Sequence, residues 1–211
     1  MTTDYSESFK KFHLGCGIIF LKNYLNIGFW TNLEQDKLYE NPNGVQDTVL
    51  LNFDLTHGIP ASDNSLDVVY HSHMLEHLTN TEGIQFLKEC NRVLKPGATM
   101  RLLVPDLGTF SKKYMEEDDF FFDAYRKEAL SDDKLLYPTR GAVFMGMLHN
   151  HGHKMGYDYE TVNHILNQTG FTDVRKTMFQ ESALSDIQEI EPYAPLRAAE
   201  SLCVECIKSA Q

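Results

Sequence analysis

The chain reads as an α/β protein: an open sheet, mostly parallel with an antiparallel last strand, and with helices on both faces. Three observations predict this. Short, continuously apolar strand segments alternate with segments of helical period. A Gly-Cys-Gly turn follows the first of those strands directly, as in sheets that bind a ligand at their carboxyl edge. The last two strand-like segments leave little room for a crossover helix, and antiparallel strands do not need one.

The strand segments are KFHLG (11–15), YLNIG (24–28), TVLLNF (48–53), LDVVYH (66–71) and ATMRLLV (98–104), then DVRKTMF (173–179) and SLCVECI (201–207). The clearest helix covers 80–94. Thr79 and Glu82 make a capping box, and Ile84, Leu87, Cys90 and Leu94 share one face. Lys95-Pro96-Gly97 stops it and turns the chain into the next strand. A second helix runs from 158 to 168, with Gly170 as its stop. Residues 106–150 break the alternation. Phe110, Tyr114, Phe120, Phe121, Phe122 and Tyr125 stand there among acidic residues, which predicts a helical, aromatic insertion above the sheet. Its aromatics either pack on the body or form a lid over a substrate.

At 211 residues, the chain suits a single domain spanning 1–211, and 42% hydrophobic with 23% charged residues are globular proportions. A net charge of −11 argues against nucleic acid or an anionic membrane as partner. The polar start MTTDYSESFKK is no signal peptide, and no apolar run approaches the roughly 20 residues of a membrane span. A cytoplasmic location is expected. Cys203 and Cys206 have metal-like C-x-x-C spacing, but they lie in a strand pattern that sends them to opposite faces, so no metal is expected there.

Gly15 and Gly17 let backbone approach a ligand closely. The third glycine of the dinucleotide fingerprint and the space for a long helix are both missing, which counts against a nicotinamide enzyme. Asp54, ending the third strand segment, is able to accept from an adenine amino group; a turn or cap is its simpler role.

The ordered set HLGCG, NIG, FDLTHGIPASDNSLDVVYHSHMLEHL and LKECNRVLKPGATMRLLVPD, over about residues 11–106, resembles the class I S-adenosylmethionine-dependent methyltransferases of the small bacterial type. NQTGFTDV and ESLCVECIK resemble that family's late segments. The resemblance implies a Rossmann-like fold, S-adenosyl-L-methionine as cofactor, and O- or N-methylation of a small-molecule or glycan-like acceptor. It implies that Gly15, Cys16 and Gly17 face the methionyl part, that Asp54 and Leu55 sit at the adenine, and that His71 and Ser72 border the cofactor. The family's acidic ribose ligand falls on Gly28. Backbone at Gly28 and Phe29, a water, or Asn26 would then hold the ribose, and Gly28→Asp is expected to tighten binding. The same departure keeps open an alternative, a non-catalytic methyltransferase-like binding or scaffold protein with weakened cofactor affinity.

Nine histidines include two clusters: His71, His73 and His77, then His149, His151 and His153. His149 or His151 is a candidate general base, since imidazole titrates near neutrality. Each cluster has ligand-like spacing, but Glu76-His77 at a helix start reads as a cap or packing pair, and no metal centre is expected.

Overall fold

A computed structural model describes residues 3–210. Eight strands form one sheet in the order β3-β4-β2-β1-β5-β6-β8-β7. They are β1 (Lys11–Leu14), β2 (Leu25–Gly28), β3 (Lys37–Glu40), β4 (Val49–Asn52), β5 (Leu66–Ser72), β6 (Leu94–Pro105), β7 (Phe171–Thr177) and β8 (Ser201–Lys208). β4, β2, β1, β5 and β6 are parallel, whereas β3 and β8 oppose their neighbours. β1 pairs with both β2 and β5, so strand order reverses there, and a crevice opens beyond its carboxyl end.

Two details differ from expectation. β3 was not foreseen. It is an edge strand whose residues are almost all exposed, so KLYE offers no apolar pattern. β6 begins at Leu94, not at 98. Leu66 pairs with Leu94 and Val68 with Thr99, so Lys95–Ala98 bulge out, with Gly97 at φ +80°.

One face of the sheet is covered by α1 (Asn80–Val93) and α5 (Tyr159–Gln168). Phe86, Leu87, Cys90, Val162 and Leu166 pack there on Phe12, Leu14, Ile27, Val69 and Val204. Thr79 and Glu82 close the expected capping box on α1. The other face, with Val68, Tyr70, Leu103 and Cys203, is covered by Leu184 and the short helix α6 (Ile187–Ile190). Cys203 and Cys206 do fall on opposite faces.

Into this second face β6 sends Arg101, whose side chain is wholly buried. Its guanidinium meets Glu191 through two contacts, Nε to Oε1 at 2.5 Å and Nη2 to Oε2 at 2.8 Å. It also donates to Thr177 Oγ1 and to the carbonyls of Met178 and Glu181.

The connection from β1 to β2 is only ten residues, 15–24, with no helix. Parallel neighbours usually need a longer crossover. Buried Asn26 takes the place of the missing helix. It accepts from Leu21 N (2.7 Å) and donates to the carbonyls of Leu21 (3.0 Å) and Val49 (3.0 Å). His13 Nδ1 stands 3.0 Å from its Oδ1. With these groups engaged, Asn26 is unavailable to a ribose.

After Asp106 come three helices, α2 (Leu107–Met115), α3 (Asp119–Ala129) and α4 (Arg140–His149). Phe110, Phe121, Phe122, Tyr125, Val143 and Met147 give them a small core of their own. Phe110 is its centre, with edge-to-face contacts to Phe121 and Tyr125 at 5.0 and 4.9 Å. The last helix, α7 (Pro195–Glu200), leads into β8.

Candidate active site

The glycine turn lies at the carboxyl end of β1. Gly15 and Gly17 have φ of +67° and +49°, a region that disfavours any side chain. Cys16 N donates to Ile27 O at 2.9 Å, which pins the turn to β2. The Cys16 thiol is buried, and burial pushes it up to about 12, so it is no nucleophile at neutral pH. A Cβ on Gly15 would run into Met74, while the space over Gly17 is open. The turn is therefore a cradle with one free side.

At Gly28 the corner is already filled. A Cβ there would lie 2.6 Å from Cη2 and Cζ3 of Trp30. The space beside Gly28 is thus taken by an indole, held through Trp30 N donating to Asn52 Oδ1 (2.7 Å). Gly28→Asp alone is expected to cost about 1–3 kcal/mol of stability through overpacking, measured by urea unfolding, and not to tighten the cofactor. In a Trp30→Ala background the carboxylate has room. Gly28→Asp should then strengthen S-adenosylmethionine binding by roughly tenfold or more in calorimetry, the worth of a hydrogen bond to a charged group. Equal affinity of the two backgrounds would refute this account of the corner.

Asp54 follows β4 and caps the turn Leu55–His57, accepting from Thr56 N (2.9 Å) and Oγ1 (2.7 Å). Partial burial works against its charge, but the Thr56 hydrogen bonds hold its carboxyl below the usual range. Leu55 borders a 530 Å³ cavity with Thr56, Leu78 and Phe86. His71 lies deeper than a cofactor-bordering residue would. It is fully buried edge-on to Phe86 with a partner for neither nitrogen, whereas Ser72 is half-buried at the strand end.

A second cavity, of 450 Å³, opens over the carboxyl ends of β5 and β6 and the start of β8. His73, His77, Tyr125, His151, His153 and Glu200 line it. The two histidine clusters of the sequence meet here, but only in part: His71 went to the core, and His149 is exposed at the end of α4, away from the cavity wall. His151 Nε2 is 2.8 Å from Ala129 O, and His153 Nδ1 2.6 Å from Met147 O. A carbonyl only accepts, so these two nitrogens carry protons, and in the neutral rings the lone pairs fall on Nδ1 of His151 and Nε2 of His153. His73 Nε2 is 2.9 Å from Ser201 Oγ. Burial pushes Glu200 up to about 7. Residues 73–77 join the two halves of the crevice, since Met74 covers Gly15 while His73 and His77 face the cavity. Glu200 and buried Glu76 carried no sequence signal for a site, whereas Tyr125 stood among the aromatics of the insertion.

Strand order, the reversal at β1 and the glycine turn define the class: an open, Rossmann-like methyltransferase fold. Residues 14–102 match the family described as "Methyltransferase domain". A probable S-adenosylmethionine-dependent methyltransferase of Mycolicibacterium smegmatis is 40% identical over 62 residues, 28% of this chain and 23% of that protein. The match thus spans under a quarter of that curated relative's length. Among solved structures, a Thermotoga maritima S-adenosylmethionine-dependent methyltransferase, described as a possible histamine N-methyltransferase, superposes with a TM-score of 0.54 at 16% identity, over 95% of this chain and 82% of that one. One from Archaeoglobus fulgidus gives 0.51 at 15% identity, over 97% and 88%. Over residues 14–102 the chain is thus similar to a methyltransferase domain, and over nearly its whole length its fold is like that of solved S-adenosylmethionine-dependent methyltransferases.

Proposed function

We propose that this protein transfers a methyl group from S-adenosylmethionine to a hydroxyl or amine of a small-molecule or glycan-like acceptor. The observation that carries the reading is the pairing of a glycine cradle with a histidine-lined cavity, joined through residues 73–77. At 450 Å³ the cavity is in the range of small-molecule sites.

Bound S-adenosylmethionine supplies an electrophilic methyl on its sulfonium sulfur. Gly15, Cys16 and Gly17 would hold the methionyl part, and Asp54 with Leu55 the adenine edge. The Trp30 ring against Gly28 gives the ribose corner an aromatic wall where relatives of the family carry an acid. The chain's main contribution is to hold the acceptor atom in line with the methyl, and such positioning is worth several powers of ten. His151 is the cavity's general-base candidate, because its Nε2–H is fixed on Ala129 and its Nδ1 is free to take the acceptor's proton. His149, the other candidate, is not among the residues that line the cavity.

Isothermal titration with S-adenosylmethionine and with S-adenosylhomocysteine tests the reading. Saturable binding of both is expected. Absence of heat with either at millimolar concentration would overturn it and favour a methyltransferase-like binding or scaffold protein.

A further inference from the structure

Glu76 has no role in the site as described so far. Its side chain is 1% exposed, and neither carboxylate oxygen accepts a hydrogen bond. A buried carboxylate without a partner is costly, so such a group normally faces a cation or holds a proton. Among the described residues, the basic atoms within ion-pair reach of it are imidazole nitrogens: His73 Nδ1 at 3.3 Å and His153 Nε2 at 4.0 Å. In the neutral ring His153 presents a lone pair there, because its other nitrogen is held as a donor on Met147 O. Two electron-rich groups thus point at one another across a gap that a cation would fill.

His77 completes the arrangement. Its ring stands edge-to-face with that of His153, centroids 4.8 Å apart. One ligand atom each from Glu76, His77 and His153 lies within 4.8 Å of the other two. Around an ion at about 2.0–2.2 Å, three such atoms stand roughly 3–3.6 Å apart, a contraction that small side-chain rotations supply. The backbone holds the two contributing segments together: Lys154 N and Met155 N both donate to Glu76 O, at 2.8 and 3.2 Å. The Met147 carbonyl on His153 is the outer contact that fixes a metal-binding imidazole.

We propose that Glu76, His77 and His153 form a binding site for a zinc-class divalent cation in the wall of the histidine-lined cavity. Two imidazoles and one carboxylate select a borderline ion such as Zn²⁺ over Mg²⁺ or Ca²⁺, which prefer oxygen. Three protein ligands leave a fourth position facing the cavity, open to water or to an acceptor oxygen. A coordinated hydroxyl would lose its proton more readily, which links the ion to the acceptor. That last step rests on the methyl-transfer reading; the site itself does not.

The test uses full-length, untagged protein treated with a chelator and then titrated with Co²⁺ without cofactor. Visible ligand-field absorption should saturate near one equivalent and be abolished by Zn²⁺ in competition. Glu76→Gln and His153→Ala should each weaken uptake at least tenfold, and His164→Ala, an exposed control on α5, should not. Should Glu76→Gln fail to fold by circular dichroism, half-exposed His77→Ala gives the same readout. No saturable uptake near one equivalent, or wild-type affinity in folded His77→Ala and His153→Ala, would overturn the site. Because no S-adenosylmethionine is present, its failure is separate from any failure of cofactor binding.

Discussion

Arg101→Ala is expected to remove about 3–5 kcal/mol of folding stability, enough to leave the chain partly or wholly unfolded at room temperature. Taking away the guanidinium strands Glu191, itself 2% exposed, without its counter-charge. It also strips donors from Thr177 and from the carbonyls of Met178 and Glu181. Those contacts hold the 178–191 segment over the second face of the sheet, so Leu184 and Ile187 should loosen with it. Replacing both charges, as Arg101→Met with Glu191→Met, should recover part of the loss, because a well-packed apolar pair avoids the desolvation penalty. Recovery will be incomplete, since Gln180 N also loses its Glu191 acceptor. Urea unfolding of the two variants and the wild type measures this; an Arg101→Ala protein within 1 kcal/mol of wild type would contradict the role given to the pair.

Acidification is expected to lower stability steeply between about pH 6.5 and pH 4. Burial, against a hydrogen bond that His13 donates to Asn26 Oδ1, pushes His13 down to about 4, and burial with the neighbouring His13 pushes His71 down to about 3. In the unfolded chain both return to about 6.5. Across that window the unfolded state binds protons that the folded state refuses, so stability falls as pH falls. One pKa unit corresponds to about 1.4 kcal/mol, so His13 alone accounts for roughly 3 kcal/mol at the bottom of the window. Glu200 acts in the opposite sense. Its raised folded value of about 7 stabilises below the unfolded carboxylate range, and that contribution is lost as pH rises through 7. It offsets one histidine in part but not two. Thermal melts across this range give the slope directly. His71→Leu removes two unpartnered nitrogens, so it should flatten the slope and raise the melting temperature at pH 5. A wild-type melting temperature constant from pH 7 to pH 5 would rule this account out.

Six of the seven strands that were legible in the sequence carry an apolar run, the mark that burial on both faces leaves, whereas β7 is exposed over most of its length. β3 left none, being exposed at an edge. The absence of a helix between β1 and β2 was legible from spacing, but the device that permits it was not: nothing local marks Asn26 as the residue that satisfies Leu21 and Val49. Gly28 was legible as a departure from the family. Its consequence was not, since that depends on where Trp30 places its ring. The histidines were legible as two clusters, and the structure sorts each by the direction in which its backbone points. Alternation along β5 turns His71 into the core, whereas His73, at φ +51°, swings toward the cavity. The meeting of His77 with His153 spans 76 positions and has no local spacing to reveal it. Glu76 read as a cap or packing residue; only its burial without a hydrogen-bond partner distinguishes it.

The short β1–β2 connection also bears on how the chain finds its fold. Phe12 pairs with Leu25 on one side and with Val69 on the other, separations of 13 and 57 residues. Closing the shorter span costs about 1.3 kcal/mol less chain entropy than closing the longer one. The strand at the reversal point is therefore joined cheaply to one half of the sheet and dearly to the other. A crevice that looks symmetric about β1 in the finished molecule is assembled from two unequal closures, with the glycine cradle belonging to the easier of them.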